Sequence, residues 1–148
     1  MTYLSNCNIA LVDDDSDDQF FFMEAYSEVQ APCHLKTFSN GKEFIEYLLK
    51  KEGMFPKVVF LDLNMPIMNG LSCLQFLRNE QRLKEIPVVM FSTSESQEDI
   101  KSTFESGANF YLKKPDNFMS LKNLIKKVID FDFSKLDASS SQEDFVLC

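Results

Sequence analysis

The chain has 148 residues, 45% of them apolar and 26% charged, and twenty-three acids against fifteen bases leave a net charge of −8. That length suits one domain, able to bury roughly 70% of its unfolded surface, and leaves too little for two. An acidic balance with no dense basic stripe argues against nucleic acid and anionic membrane as partners, and no apolar run approaches the ~20 residues of a membrane helix.

Residues 1–8 lack the basic and apolar regions of a secretory signal. The four cysteines (Cys7, Cys33, Cys73, Cys148) show no CxxC spacing, so the expectation is reduced, mostly buried thiols in a cytoplasmic protein rather than a zinc or redox motif. The first apolar run, Ile9–Val12, reads as a strand and ends in Asp13, Asp14 and Asp15. Residues 13–18 hold five acids and no base. Asp15, Asp17 and Asp18 read as a solvated helix start, with Ser16 or Asp17 as its cap. Taken alone the run also matches part of a calcium loop through Asp13, Asp15, Asp17 and Glu24, but Asp18 stands where the sharp turn requires glycine.

A helix follows on the spacing of Phe22, Ala25, Tyr26 and Val29, then a second strand over Cys33–Phe38 carrying the sole histidine, His34, in a structural or surface role. Phe44, Ile45, Leu48 and Leu49 predict the next helix. The third strand, Val58–Leu61, runs into Asp62, Leu63, Asn64, Met65 and Pro66. Leu71, Leu74 and Leu77 predict a helix, and Val88–Phe91 a fourth strand ending in Ser92, Thr93 and Ser94. Ile100 and Phe104 mark another helix, and Asn109–Leu112 a fifth strand that leads to Lys113, Lys114 and Pro115. The last helix is the clearest, with Leu121, Leu124, Ile125, Val128 and Ile129 on one stripe.

Three of these strands are apolar at every position, as in a parallel sheet covered on both faces. The class is therefore α/β, a doubly wound sheet of five β–α units. Residues 1–133 form this domain and 134–148 an acidic, Ser-rich tail. The composition of the tail favours a solvated segment; the alternative is that Phe131, Phe133 and Phe145–Val146–Leu147 dock on a groove.

In doubly wound sheets, ligands sit beyond the carboxyl ends of the strands. Asp13, Asp14 and Asp62 would meet there, each pair at ~4 Å costing about 4 kcal/mol at an effective dielectric of about 20. One lysine does not balance three carboxylates. A divalent cation does, and carboxylate oxygens suit Mg²⁺. A carboxylate can also act as a nucleophile toward phosphorus, with metal and lysine holding the phosphoryl oxygens.

The set Asp13–Asp14, Asp62 within LDLNMPIMNG, Ser92 after PVVMF, and Lys114–Pro115 resembles the receiver domain of bacterial two-component response regulators, over about residues 8–130. The resemblance implies a five-stranded parallel sheet in the flavodoxin-like order 2-1-3-4-5 with five helices on both faces. It implies Asp62 as phosphoacceptor, and Mg²⁺ held by Asp14, Asp62, the backbone carbonyl of Asn64 and, through water, Asp13. Lys114 would contact the phosphoryl group, and its bond to Pro115 would be cis, as is usual in that family. Ser92, in place of the commoner Thr, would swing to the phosphoryl oxygen, and Tyr111 would turn inward as it does.

The implied function is that of a stand-alone response regulator, not an enzyme beyond slow autodephosphorylation. The phosphoryl would come from a sensor histidine kinase or a histidine phosphotransfer protein. Output would pass through a surface around Ile100, Phe104, Tyr111 and Leu121 to an unidentified downstream protein, and a phosphorylation-dependent dimer is compatible with it. Two other classes compete. A small haloacid-dehalogenase-type phosphatase would use Asp13, Asp15, Ser92 and Lys114, but Asp116 and Asn117 begin a helix where that family needs another acidic pair. A receiver-like module that never carries phosphate is opposed by the complete acid, hydroxyl and lysine set.

Overall fold

The computed structural model describes residues 7–50, 55–135 and 142–147. Strand β1 (Asn8–Val12) leads to helix α1 (Ser16–Val29), β2 (His34–Phe38) to α2 (Gly41–Lys50), and β3 (Val58–Leu61) to α3 (Gly70–Asn79). Then come β4 (Val88–Ser92), α4 (Gln97–Glu105), β5 (Phe110–Lys113) and α5 (Phe118–Asp130). A short helix α6 (Gln142–Phe145) and strand β6 (Val146–Leu147) close the chain.

All pairings between strands are parallel, in the order β2-β1-β3-β4-β5-β6. The first five follow the expected order 2-1-3-4-5; the sixth was not expected. Alternation along the strands divides the apolar side chains between two faces. Ala10, Val12, Val59, Leu61, Val88 and Met90 face α2, α3 and α4. Ile9, Leu11, Val58, Phe60, Val89 and Phe91 face α1 and α5. β3 and β4 are buried throughout, which is why β3 and residues 88–91 of β4 are apolar at every position, Ser92 alone being polar.

Three expectations are corrected. The tail is not wholly solvated: its Ser139–Ser141 run lies outside the described residues, but β6 pairs with β5 and Phe145 is 3% exposed. An edge strand has an unpaired row of backbone groups, and the chain's own end meets that need here. Nor are the cysteines all reduced: Cys7 and Cys33 form a disulfide. The parallel register sets Asn8 beside His34, so the residues preceding the two strands lie with Cα atoms 4.5 Å apart, within bonding reach. Cys73 is a buried thiol as expected, pushed up to about 12 by burial, and Cys148 lies outside the described residues. Finally, the Lys114–Pro115 bond is trans, as are all the described peptide bonds; trans is the preferred form of an X–Pro bond.

The aromatic run divides as its helical spacing dictates. Phe22 is fully buried against Phe60 and Phe91, Phe21 sits edge-on to Phe118, and Phe20 stays exposed. Leu49, counted on the apolar stripe of α2, is 41% exposed.

Candidate functional site

The order of the sheet reverses between β1 and β3, and the chemistry-bearing residues leave the sheet at that crevice. Asp13 follows β1 and Asp62 follows β3. The Asp62 backbone N–H donates to Val12 O at 2.9 Å and that of Asp13 to Phe38 O at 3.0 Å, so the ladder carries both acids out in register. Carboxylate oxygens of Asp13, Asp14 and Asp62 lie within 4.8 Å of one another. Asp13 is wholly buried, Asp62 is 6% exposed, and Asp14 faces solvent.

Lys114, at the end of β5, closes the crevice. Its Nζ donates to Asp13 Oδ2 at 2.7 Å and to Asp18 Oδ2 at 2.8 Å, and lies 3.6 Å from Asp62 Oδ2. Strand alternation sends Lys113 the other way, to an exposed pair with Glu95. The backbone N–H of Lys114 donates to Ser92 O, which ties β5 to the end of β4.

The charges explain the titration of the site. Burial pushes the Asp62 carboxyl up to about 6; Lys114 works against that rise, while Asp13 and Asp14 add to it. Asp13 is also raised, chiefly by burial, against the hydrogen bond from Lys114. Burial by itself would lower Lys114, but its bonds to Asp13 and Asp18 hold the ammonium well above its usual range. The balance remains negative, with one cation among four carboxylates. Three convergent carboxylates, one of them open to solvent, are the donor set of a hard divalent cation, so these residues fit such an ion. Asn64, two residues past Asp62, is exposed in the loop at the same edge.

Ser92 is buried at the end of β4, and its Oγ accepts from Ser94 N at 3.1 Å. Ser94 is held from two more sides: its Oγ donates to Asp99 Oδ2 at 2.6 Å, and Tyr111 Oη donates to Ser94 O at 2.9 Å. The Tyr111 ring is already 1% exposed, so there is little room for it to turn further inward. Phe145 packs beside it, 6.1 Å away ring to ring.

Reading the sequence alone missed Asp18 and misplaced the cap. The N-cap of α1 is Asp15, whose Oδ1 accepts from Asp17 N and Asp18 N. Asp15 is thereby occupied and lies outside the acidic cluster, which deprives the dehalogenase-type pairing of its second acid. Asp18, in the first turn of α1, reaches over the crevice to Lys114 instead of standing wholly in solvent. His34 is exposed on β2, away from the acids.

Against known proteins, a family model of the response regulator receiver domain matches residues 9–126. The chain is 30% identical over 126 residues to the probable methanogenesis regulatory protein FilR2 of Methanothrix harundinacea, covering 83% of this chain and 81% of that protein. It is 27% identical over 128 residues to the response regulator Rcp1 of Synechocystis, covering 83% and 86%. Among solved structures, the phosphorylated cyanobacterial phytochrome response regulator RcpA superposes with a TM-score of 0.78 at 30% identity, over 90% of this chain and 99% of that one. The Mn²⁺-bound form of Rcp1 superposes with a TM-score of 0.75 at 25% identity, again over 90% and 99%. No helix among the described residues is long and apolar enough to cross a membrane.

Proposed function

The chain belongs to the response regulator receiver family, and on that premise we propose that Asp62 accepts a phosphoryl group from a sensor histidine kinase or a histidine phosphotransfer protein. The acidic cluster would hold Mg²⁺ for this step, and the phosphorylated protein would signal by a changed protein-binding surface. The observation that carries the reading is Asp62 Oδ2 lying 3.6 Å from Lys114 Nζ within a carboxylate cluster that suits a divalent cation.

An Asp62 oxygen forms a bond to phosphorus while the P–N bond of the phosphohistidine breaks, and the leaving imidazole keeps the electron pair and takes a proton from water. Leu63 N–H donates to Asp62 Oδ1 at 2.9 Å, which fixes the carboxylate with Oδ2 on the lysine side. Asp14, Asp62, the carbonyl of Asn64 and, through water, Asp13 are the ligands of this reading; bound Mg²⁺ supplies positive charge to the phosphoryl oxygens. Lys114 supplies a second cation to the same oxygens. A turn of Ser92 Oγ toward the phosphoryl group would draw it away from the bond it accepts from Ser94 N. Release of Ser94 then loosens the loop that Tyr111 and Asp99 hold, and so carries the change to β5 and α4.

Incubation with phosphoramidate and Mg²⁺ should add one phosphoryl group per chain by intact mass, and none in EDTA. Addition undiminished by EDTA would remove the cation from this reading. Many turnovers of a generic phosphate ester would instead indicate a phosphatase.

Asp18 restrains Lys114 in the resting site, because its carboxylate draws the ammonium toward α1 and competes for its charge with an incoming phosphoryl oxygen. Asp18 is 41% exposed in its side chain, so the bond is worth about 1 kcal/mol after screening. Asp18→Asn should therefore speed phosphorylation by phosphoramidate at saturating Mg²⁺ by about fivefold. A slower rate would make Asp18 a support for Lys114 rather than a restraint.

A further inference from the structure

Cys7 immediately precedes β1 and Cys33 immediately precedes β2, so their disulfide stands at the opposite end of the sheet from the acids. The length of β1 puts about 17 Å between the two ends. The link fixes an edge. Among the described residues β2 pairs with β1 alone, and only Phe38 of its side chains is buried. At its start the backbone N–H of His34 donates to Cys7 O at 2.9 Å. Tyr26 Oη, near the end of α1, donates to Cys33 O at 2.5 Å. The disulfide therefore gathers β1, β2 and, through Tyr26, α1 at one point.

A covalent link is not what holds this domain together. Disulfides are indispensable mainly in small domains without a sufficient core, and here apolar layers cover both faces of the sheet. The link is also within reach of reagents. Cys33 is 6% exposed and packs in the layer facing α1 and α5, but Cys7 is only half-buried and lies outside the strand. An accessible sulfur is the one that a peroxide or an entering thiolate meets, and accessible disulfides are the labile ones. Cys73 is the contrast: its thiol is fully buried and pushed up to about 12, which keeps it out of such chemistry.

We propose that Cys7 and Cys33 are a reversible redox modification site, oxidised by a hydroperoxide and reduced by a dithiol, whose closed form pins the edge strand β2. In the forward direction the Cys7 thiolate attacks a peroxide oxygen, the O–O bond breaks, and the leaving oxygen takes a proton as water or an alcohol. The Cys33 thiol then attacks the Cys7 sulfenic acid, forming the S–S bond and releasing water. Two thiols and one hydroperoxide thus give one disulfide, one water and one alcohol (a second water from hydrogen peroxide), with two electrons passing from sulfur to oxygen. In reverse, a dithiol attacks the Cys7 sulfur and Cys33 leaves as a thiolate that takes a proton. The second thiol of the reagent then closes on the mixed disulfide and releases Cys7. With the bond open, Cys7 is free to turn toward solvent, and the start of β2 keeps only its hydrogen bonds. The site does not depend on phosphoryl acceptance.

The test uses unphosphorylated full-length protein, reduced with dithiothreitol, freed of it and given one equivalent of hydrogen peroxide. Peptide mapping without reductant should find Cys7 joined to Cys33, and dithiothreitol should restore both thiols under native conditions. Closing the pair should raise Tm by about 5–10 °C and slow hydrogen exchange across His34–Phe38 at least about tenfold. Cys7→Ser should hold both readouts at the reduced values whether or not peroxide is added. Cys148→Ser, which removes a cysteine outside the described residues, should leave both responses intact. Linkage of Cys7 to another cysteine, oxidation that runs on to sulfinic acid, or a bond that dithiothreitol reaches only in the unfolded chain would overturn the proposal. So would equal Tm and equal exchange in the closed and open forms.

Discussion

Asp62→Asn should abolish phosphorylation and at the same time leave the unphosphorylated protein more stable near neutral pH. On the proposed role of Asp62 the first effect follows from loss of its attacking oxygen: the amide forms no acyl phosphate, and labelling by phosphoramidate with Mg²⁺ should fall by a factor of at least about 10³. Intact mass checks it directly, and a variant still labelled one-for-one would remove Asp62 from its role. The second effect follows from the site's charge. Asp62 titrates near 6 in the fold against 3.8 for an ordinary aspartate, chiefly through burial. Its raised value means that the folded state holds a proton the unfolded chain has released between those two values, so stability falls as pH rises across that window and stays low above it. The full shift is worth on the order of 3 kcal/mol. Lys114 loses a counter-charge in the variant, so a gain of about 1–2 kcal/mol is expected at pH 7, or roughly 5 °C in Tm for a domain of this size. Below pH 4 parent and variant should coincide. Mg²⁺ should narrow the difference at pH 7, because it relieves the parent and has less to bind in the variant.

The strands and the acids at their ends were legible because their signals are local. Ile9–Val12, β3 and residues 88–91 of β4 are buried on both faces, so their side chains are apolar, and the next residues outward are those the crevice can use. What stayed hidden depends on partners distant in the chain. Asp18 and Lys114 are 96 residues apart, and an acid in a first helical turn has the same composition whether it meets a lysine or water. The Cys7–Cys33 pair requires knowing that β1 and β2 run side by side with Asn8 opposite His34. The tail was misjudged for a different reason. Its serines and acids dominate a composition window, but Phe145, Val146 and Leu147 alone decide where it goes, by filling an edge that no local window contains. Two of them, Phe145 and Val146, pack in the same layer as the buried Tyr111.

The backbone behind Asp62 leaves no room for a side chain, and Gly70→Ala is expected to show it. Gly70 opens α3, and its N–H donates to Leu63 O at 2.7 Å, folding the segment after Asp62 back onto the helix. A Cβ built at Gly70 would lie 2.1 Å from the Asp62 carbonyl oxygen and 2.7 Å from Leu63 Cα. Both are backbone atoms, so no rotamer change relieves the clash; either α3 withdraws or the β3 end shifts. Either movement also disturbs the Leu63 N–H that fixes Asp62 Oδ1. Overpacking against rigid backbone belongs at the upper end of core substitutions, about 3 kcal/mol, or roughly 10 °C in Tm. Gly41→Ala is the control, since its Cβ would meet neighbours no nearer than 3.1 Å, two of them side-chain atoms. If the clash acts through Asp62, Gly70→Ala should also weaken Mg²⁺ binding and slow phosphorylation at temperatures where it remains folded, while Gly41→Ala does neither. A Gly70→Ala protein with parental Tm and Mg²⁺ affinity would mean that α3 moves away at little cost, and that the close approach of its first residue to Asp62 does not hold the site in shape.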